Sequence, residues 1–100
     1  MPAWHRVAGP GELDDGAVTQ VSAGGKSIAL VRQGERYCAL DDVCPHAGGP
    51  LSQGTVEDGR LVCPWHGREY DLASGACEGF DINVATYPVE ARADGIFVAI

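Results

Sequence analysis

The sequence predicts an all-β fold of small antiparallel sheets, and three observations support this. Glycine and proline are spread along the whole chain, and the longest stretch free of both has ten residues, Glu35 to Cys44, which leaves no room for a long helix. Short runs rich in β-branched and aromatic residues lie between turn signals. Asp58-Gly59 and Asp94-Gly95 are dipeptides that typically close β-hairpins. Composition alone is compatible with a sandwich or a barrel.

The turn signals divide the chain into nine predicted strands. Gly24-Gly25 separates the second strand from the third, and Gly34-Glu35 separates the third from the fourth. Asp58-Gly59 lies between the fifth and sixth, Ser74-Gly75 follows the seventh, and Asp94-Gly95 precedes the ninth. The predicted strands are 4–7, 17–22, 27–33, 36–40, 55–57, 60–62, 69–72, 84–91 and 96–100.

Length and composition predict one globular domain, 1–100. Apolar residues make up 45% of the chain and charged residues 21%, which is typical of a folded rather than a disordered protein. Seven basic residues against fourteen acidic ones give a formal net charge of −7. This charge argues against nucleic-acid binding, which needs a basic face, and favours attraction to a basic partner surface.

The sequence also predicts where the protein acts. Residues 1–10 contain no apolar segment typical of a secretory signal. No apolar run approaches the roughly 20 residues of a membrane-spanning helix. We therefore expect a cytoplasmic protein that has no membrane partner.

Two short segments carry the residues with the most specific chemistry. Cys44-Pro45-His46 and Cys63-Pro64-Trp65-His66 give Cys-x-His, sixteen intervening residues, and then Cys-x-x-His. Two thiolates and two imidazoles are the ligand set of a 2Fe–2S centre in which two His replace two Cys on one iron. A structural zinc site can use the same residue types. Usual zinc-finger spacing pairs Cys with Cys and His with His, however, whereas each segment here mixes the two.

These segments resemble the Rieske iron–sulfur family. The match runs from Cys44 through Leu51, from Cys63 to Asp71, and on through Ser74-Gly75. The resemblance implies the Rieske fold, in which small antiparallel sheets form a sandwich with a cluster-binding subdomain, here at about 43–72. Rieske subunits of respiratory complexes are membrane-anchored, so the expected cytoplasmic location separates this chain from them.

The resemblance also implies one 2Fe–2S cluster per chain and assigns its ligands. Cys44 and Cys63 are expected on the inner iron, and His46 and His66 on the outer iron near the protein surface. With neutral His ligands the oxidised centre carries no net charge, whereas four Cys would give −2. Adding an electron is therefore easier than in an all-Cys centre, and the potential is higher.

Residues beside the ligands predict a potential at the low end of the Rieske range, about −150 mV. High-potential members of the family carry an extra Cys in each loop, where this chain has Gly49 and Trp65. They also carry a Ser two residues after the second His, where this chain has Arg68. A Tyr that donates to a ligand Cys is retained as Tyr70. For Trp65, two roles stay open: a lid over the cluster or a contact with a partner.

Two cysteines lie outside the ligand motif. Cys38 belongs to a strand-like run and is expected to be a small buried hydrophobe. Cys77 follows the turn at Ser74-Gly75. We expect no disulfide between them, because the predicted compartment is reducing.

The resemblance implies an electron carrier rather than an enzyme. After the ligands are assigned only His5 remains, so the two His and carboxylate that hold the mononuclear iron of Rieske oxygenases are missing. No Gly-rich fingerprint for a flavin or nicotinamide is present either. Electrons must then come from a separate reductase.

The favoured hypothesis is the ferredoxin component of an aromatic-ring dioxygenase system, serving aromatic hydrocarbon catabolism. We expect a monomer that docks transiently on a ferredoxin reductase and a terminal oxygenase around the cluster tips. The flanking acidic residues are expected to form a solvated face or to take part in docking: Asp41-Asp42, Glu57-Asp58, Glu69 and Asp71. Two alternatives stay open, a Rieske-type small subunit of a nitrite reductase and a zinc-binding interaction module.

Overall fold

The computed structural model describes residues 2–45, 48–65, 67–77, 79 and 82–100. This part of the chain contains ten β-strands and one short 3₁₀ helix, Leu51–Gln53. The strands are β1 Trp4–Ala8, β2 Val18–Ala23, β3 Lys26–Gln33, β4 Arg36–Asp41, β5 Thr55–Glu57, β6 Arg60–Val62, β7 Glu69–Asp71, β8 Thr86–Tyr87, β9 Val89–Arg92 and β10 Gly95–Ala99.

The strands form three small antiparallel sheets. The largest has the order β2-β3-β4-β8, the second β1-β10-β9 and the third β5-β6-β7. The prediction of an all-β fold with several small antiparallel sheets is confirmed. The third sheet begins after Cys44, and Cys63 lies in the loop between its strands β6 and β7. This sheet therefore positions the predicted site.

Tight turns set the register of the third sheet. Asp58 and Gly59, between β5 and β6, both have positive φ, 48° and 76°, as a two-residue type I′ hairpin requires. The resulting register pairs Val56 with Leu61, and Leu61 in turn with Tyr70 on β7. Directly opposite residues point to the same face of a sheet. One face of this sheet is therefore apolar and turned inward, with Leu61 and Tyr70 fully buried.

One predicted strand, 84–91, is wrong, because the chain changes sheets within it. Thr86–Tyr87 pairs with β4 in the largest sheet, whereas Val89–Arg92 pairs with β10 in the second. Pro88 separates the two strands. Proline has no N–H for a ladder hydrogen bond, but its carbonyl accepts a bond of 3.0 Å from the Ala99 N–H. The proline thus ends one strand and connects the two sheets.

The short 3₁₀ helix was not predicted from the sequence. It directly follows Pro50 and ends at Gly54, whose N–H donates to the Leu51 carbonyl over 3.0 Å. No helix in the described part of the chain is long and apolar enough to span a membrane. The 3₁₀ turn buries Leu51 completely and carries the chain from the first ligand segment into β5.

The buried side chains form two clusters, and one of them surrounds the predicted site. This cluster joins the largest sheet, the 3₁₀ turn and the third sheet. Its members are Ala29, Val31, Leu40, Cys44, Leu51, Leu61, Cys63, Tyr70, Leu72, Cys77 and Val84. Both predicted ligand cysteines therefore lie within an apolar core, where few polar groups compete with the hydrogen bonds described below.

Gly75 provides a test of the packing behind this cluster. Its φ is 78°, and a Cβ added there would lie 2.1 Å from the Val84 carbonyl oxygen. Gly25 has a similar φ, 80°, but a Cβ there would meet nothing within 4 Å. Both Gly→Ala changes place an alanine in the left-handed backbone region, which lowers the free energy of unfolding by about 1–2 kcal/mol. Gly75→Ala should lose about 1–3 kcal/mol more, because backbone must move. Urea unfolding of both variants measures this, and equal losses would contradict the packing described.

Candidate metal centre

The first ligand segment is a loop closed at its base by backbone contacts. Val43 and Pro50 form an isolated antiparallel bridge. Inside this bridge, the Cys44 N–H donates to the Gly49 carbonyl over 2.9 Å, and the Gly48 N–H donates to the Cys44 carbonyl over 2.7 Å. Gly48 has a φ of 75°, a conformation that glycine adopts without strain. These contacts hold Cys44 at the base of the loop.

The second ligand segment repeats this arrangement between β6 and β7. The Cys63 N–H donates to the Arg68 carbonyl over 2.8 Å, and the Gly67 N–H donates to the Cys63 carbonyl over 3.0 Å. Gly67 has a φ of 70°. In both loops the Cys carbonyl accepts from a glycine four residues later, and the Cys N–H binds the carbonyl five residues later. We call this pair of loops the cysteine turns.

The cysteine turns place two thiols in the core. Cys44 and Cys63 are each 1% exposed. The hydroxyl oxygen of Tyr70 lies 3.2 Å from Cys44 Sγ, within hydrogen-bonding distance for sulfur. Tyr70 is on β7 and is held by its pairing with Leu61. The structure therefore places the Tyr70 hydroxyl in contact with the sulfur of Cys44, one of the two predicted cysteine ligands.

The direction of this hydrogen bond follows from the tyrosine's acidity. Burial raises the pKa of the Tyr70 hydroxyl well above its ordinary value, and the hydrogen bond and nearby charge of Cys44 add to the effect. The hydroxyl therefore keeps its proton across the physiological pH range. A thiolate ligand can only accept, so Tyr70 donates to Cys44 whenever the sulfur is deprotonated.

Gly49 and Trp65 occupy the positions of the extra cysteines in high-potential members of the family, and the two residues are in contact. A Cβ added at Gly49 would lie 2.8 Å from Cδ2 of the Trp65 ring, so the indole packs over the bare glycine backbone. Trp65 is nevertheless 58% exposed. Of the two roles left open, the exposure favours partner contact, while the packing on Gly49 fixes the ring between the two loops.

The cysteines outside the motif form no disulfide. Cys38 and Cys77 are both free. Cys77 is buried, whereas Cys38 is only half-buried and lines an open groove with Tyr37, Leu72 and Tyr87. Burial raises the pKa of the Cys38 thiol, and Asp71 raises it further, against an opposing effect of Arg36. The expectation that Cys38 is buried is therefore wrong, because β4 itself lines this groove from Tyr37 to Ala39.

Two of the predicted docking carboxylates, Asp42 and Asp71, accept hydrogen bonds from backbone N–H groups. Asp42 is 5% exposed and accepts two hydrogen bonds, described below. Asp71 Oδ1 accepts from the N–H groups of Ala73 and Ser74 over 2.8 and 3.0 Å. These bonds hold the pKa of the Asp71 carboxyl below its ordinary value. Sequence reasoning grouped these residues with surface charges, since acidic residues beside turns are commonly solvated.

The predicted imidazole ligands, His46 and His66, lie outside the described residues. Each belongs to one of the cysteine turns, between its Cys and its positive-φ glycine. The described donor set fits the inner half of a Rieske centre: two buried thiols and a buried phenol hydroxyl beside one of them.

A family model for the Rieske 2Fe–2S domain matches residues 3–88. The chain belongs to this family. Its members carry a 2Fe–2S cluster, and the buried thiols described above agree with that cofactor.

Among curated proteins, the chain is similar to the anthranilate 1,2-dioxygenase ferredoxin subunit of Burkholderia cepacia, with 35% identity over 89% of this chain and 84% of that protein. It is also similar to human apoptosis-inducing factor 3, with 36% identity over 69% of this chain. The chain spans only 11% of the length of that relative. Similar sequences thus occur both as small proteins and within much longer ones.

Solved structures give the same picture of the fold. A nitrite reductase small subunit from Mycobacterium tuberculosis, described as putative and NADH-dependent, aligns with a TM-score of 0.93 and 25% identity over 100% of this chain and 96% of that one. A chain in the complex of reduced oxygenase and oxidised ferredoxin of carbazole 1,9a-dioxygenase aligns with a TM-score of 0.87 and 25% identity over 96% of this chain and 92% of that one.

Replacing Tyr70 tests the hydrogen bond to Cys44. Tyr70→Phe removes a donor to sulfur that stabilises the more negative, reduced state, so the reduction potential should fall. A tenfold loss in the reduction equilibrium constant corresponds to about 59 mV for one electron, and we expect a change of this order. Tyr37→Phe, on β4 at the open groove, is the control. Redox titration followed by visible absorption measures both, and equal potentials in all three proteins would contradict the assigned hydrogen bond.

Proposed function

We propose that the protein is a one-electron carrier whose 2Fe–2S cluster is held by Cys44, His46, Cys63 and His66. It passes electrons from a ferredoxin reductase to the terminal Rieske oxygenase of an aromatic-ring dioxygenase system. The observation that carries this proposal is the pair of cysteine turns, which present two buried thiols from loops of matching design. When bound, the cluster supplies a centre that accepts and releases one electron.

The protein's own residues would tune and protect this centre. Tyr70 would donate a hydrogen bond to the Cys44 thiolate, and the apolar cluster around Cys44 and Cys63 would keep water away from both sulfurs. Gly48 and Gly67 close the two turns without side chains of their own. His46 and His66 belong to the same turns, and we propose that they present the outer iron toward the partner.

The surface beside the cysteine turns is suited to a partner. Val43 and Trp65 are 53% and 58% exposed, and both are large apolar side chains. Pro45 and Pro64 are also exposed. We call these four residues the apolar tip. All four flank Cys44 or Cys63 in sequence, and exposed apolar side chains beside a redox site favour protein contact. We propose that the apolar tip docks on the oxygenase and on the reductase in turn, forming a small interface that dissociates at each turnover.

Relatives of similar length support a carrier rather than an enzyme. The Burkholderia relative is called a ferredoxin subunit, and this chain covers 84% of it. The carbazole dioxygenase structure is a complex between a ferredoxin and an oxygenase. By analogy, we propose that this chain is a monomeric component that acts in the cytoplasm and has no catalytic site of its own.

A small subunit of a nitrite reductase is the second candidate. The structural match to the putative Mycobacterium tuberculosis subunit, with a TM-score of 0.93 over the whole chain, favours it. The two candidates differ in how tightly the chain binds its partner. A ferredoxin should elute alone from cell extract on size-exclusion chromatography, whereas a permanent subunit should elute with a much larger protein.

The cluster itself is tested by analysis of the purified protein. Protein prepared without oxygen should contain about two irons and two acid-labile sulfides per chain, as expected for a 2Fe–2S centre. His66→Ala should lose the visible spectrum and most of the iron, because a ligand of the outer iron is removed. His5→Ala is the control and should keep both. Stoichiometric zinc without labile sulfide would contradict the cluster and favour a zinc-binding module.

Docking through the apolar tip is tested by replacing Trp65. Trp65→Ala should slow electron transfer to the oxygenase at limiting concentration by about fivefold or more, since a tryptophan at an interface typically contributes over about 1 kcal/mol. Trp4→Ala is the control, because Trp4 is 43% exposed on a different sheet. Stopped-flow kinetics measure the rate, and the visible spectrum and potential check that the cluster is intact.

The same kinetics separate apolar contact from electrostatic steering. With a net charge of −7, association should slow as salt rises, because the Debye length shrinks to about 8 Å at 0.15 M. Equal rates for Trp65→Ala and the unmodified protein would contradict docking through the tip. If the association rate does not change with salt concentration, the encounter depends on apolar contact alone.

A further inference from the structure

Asp42 is a buried carboxylate next to the first cysteine turn. It is 5% exposed. No other charged residue in the described part of the chain is buried. It lies between the end of β4 and Cys44. Carboxylates are seldom buried unless they are paired or fully hydrogen-bonded, so its position needs an explanation.

Both carboxylate oxygens of Asp42 accept a hydrogen bond. The Ser52 N–H, in the 3₁₀ helix, donates to Oδ1 over 2.7 Å. The Ser27 hydroxyl, on β3, donates to Oδ2 over 2.9 Å. The Gln20 amide donates in turn to the Ser27 oxygen. Since a hydroxyl has one hydrogen, this contact directs the Ser27 hydrogen toward Asp42.

The backbone of Asp42 joins the same elements. Its N–H donates to the Ser27 carbonyl over 3.1 Å, and its carbonyl accepts from the Leu51 N–H over 2.7 Å. Asp42 therefore connects β3 to the 3₁₀ helix through four hydrogen bonds, two from the side chain and two from the backbone. These bonds close the stem of the first cysteine turn immediately below the Val43–Pro50 bridge.

We infer that Asp42 is a positioning residue with two effects: its carboxylate clamps the stem that holds Cys44, and its buried negative charge lowers the reduction potential of the centre. The electrostatic part rests on the proposed cluster site. Two residues of extended chain span at most about 7 Å, so the Cα atoms of Asp42 and Cys44 lie within that distance. A buried charge is screened much less than an exposed one, and a negative charge opposes the arrival of an electron.

Asp42→Asn tests the electrostatic part while keeping the shape of the side chain. The amide oxygen can still accept from Ser52, whereas the charge is gone. The equilibrium constant for reduction should rise several-fold, up to about tenfold, which is about 59 mV for one electron. Asp41→Asn is the matched control, since Asp41 is the adjacent carboxylate and is only half-buried. Its shift should be clearly smaller. Equal shifts in both variants, or an unchanged potential in Asp42→Asn, would overturn the assignment.

Ser27→Ala tests the clamp independently of Asp42→Asn. It leaves the carboxylate in place but removes the donor to Oδ2. Hydrogen exchange of the Ser52 and Gly48 amides should become several-fold faster, while exchange of the Phe97 amide in β10 stays unchanged. Unchanged exchange at Ser52 would overturn the clamp.

The two measurements, reduction potential and hydrogen exchange, also separate this inference from the proposed function. A chain without iron and sulfide would refute the proposed cluster and, with it, the electrostatic effect. The exchange measurement would still decide whether Asp42 holds the stem.

Discussion

The paired hydrogen bonds of the cysteine turns are the constraint on which the rest of the site depends. A metal cluster needs its ligands from two distant segments to converge in a fixed geometry. In both segments the Cys carbonyl accepts from a positive-φ glycine and the Cys N–H donates across the loop. The backbone therefore fixes the position of each cysteine and the direction of its Cα–Cβ bond. The third sheet and the 3₁₀ helix then bring the two turns to the same buried cluster.

Burial and exposure divide the site into two functional halves. The sulfurs of Cys44 and Cys63 lie in the core beside the Tyr70 hydroxyl, where a low local dielectric strengthens each hydrogen bond. Val43 and Trp65, next to the same cysteines in sequence, remain exposed. An electron carrier needs this division, because the centre must be shielded from water and yet lie close to its partner. The Trp65 ring packed on Gly49 connects the two loops at this boundary.

Much of this arrangement could be predicted from the sequence, because local signals determine it. Asp58-Gly59 predicts the hairpin that the structure contains, and the two motif cysteines, Cys44 and Cys63, lie in one buried cluster. The break at Pro88 was missed, since a run of strand formers does not show which sheet each half joins. The role of Asp42 was also missed. Its burial depends on Ser27 and Ser52, which are distant in sequence, and no local pattern distinguishes it from the half-buried Asp41.

The central claim, that two imidazoles complete the ligand set begun by Cys44 and Cys63, is tested most directly by magnetic resonance. The chain has three histidines, His5, His46 and His66, so labelling with ¹⁵N-histidine gives a simple pattern. The reduced protein should show hyperfine coupling from two histidine nitrogens in electron–nuclear double resonance, and His5→Ala should keep both. Coupling from fewer than two histidine nitrogens, or a coupling lost in His5→Ala, would contradict the account.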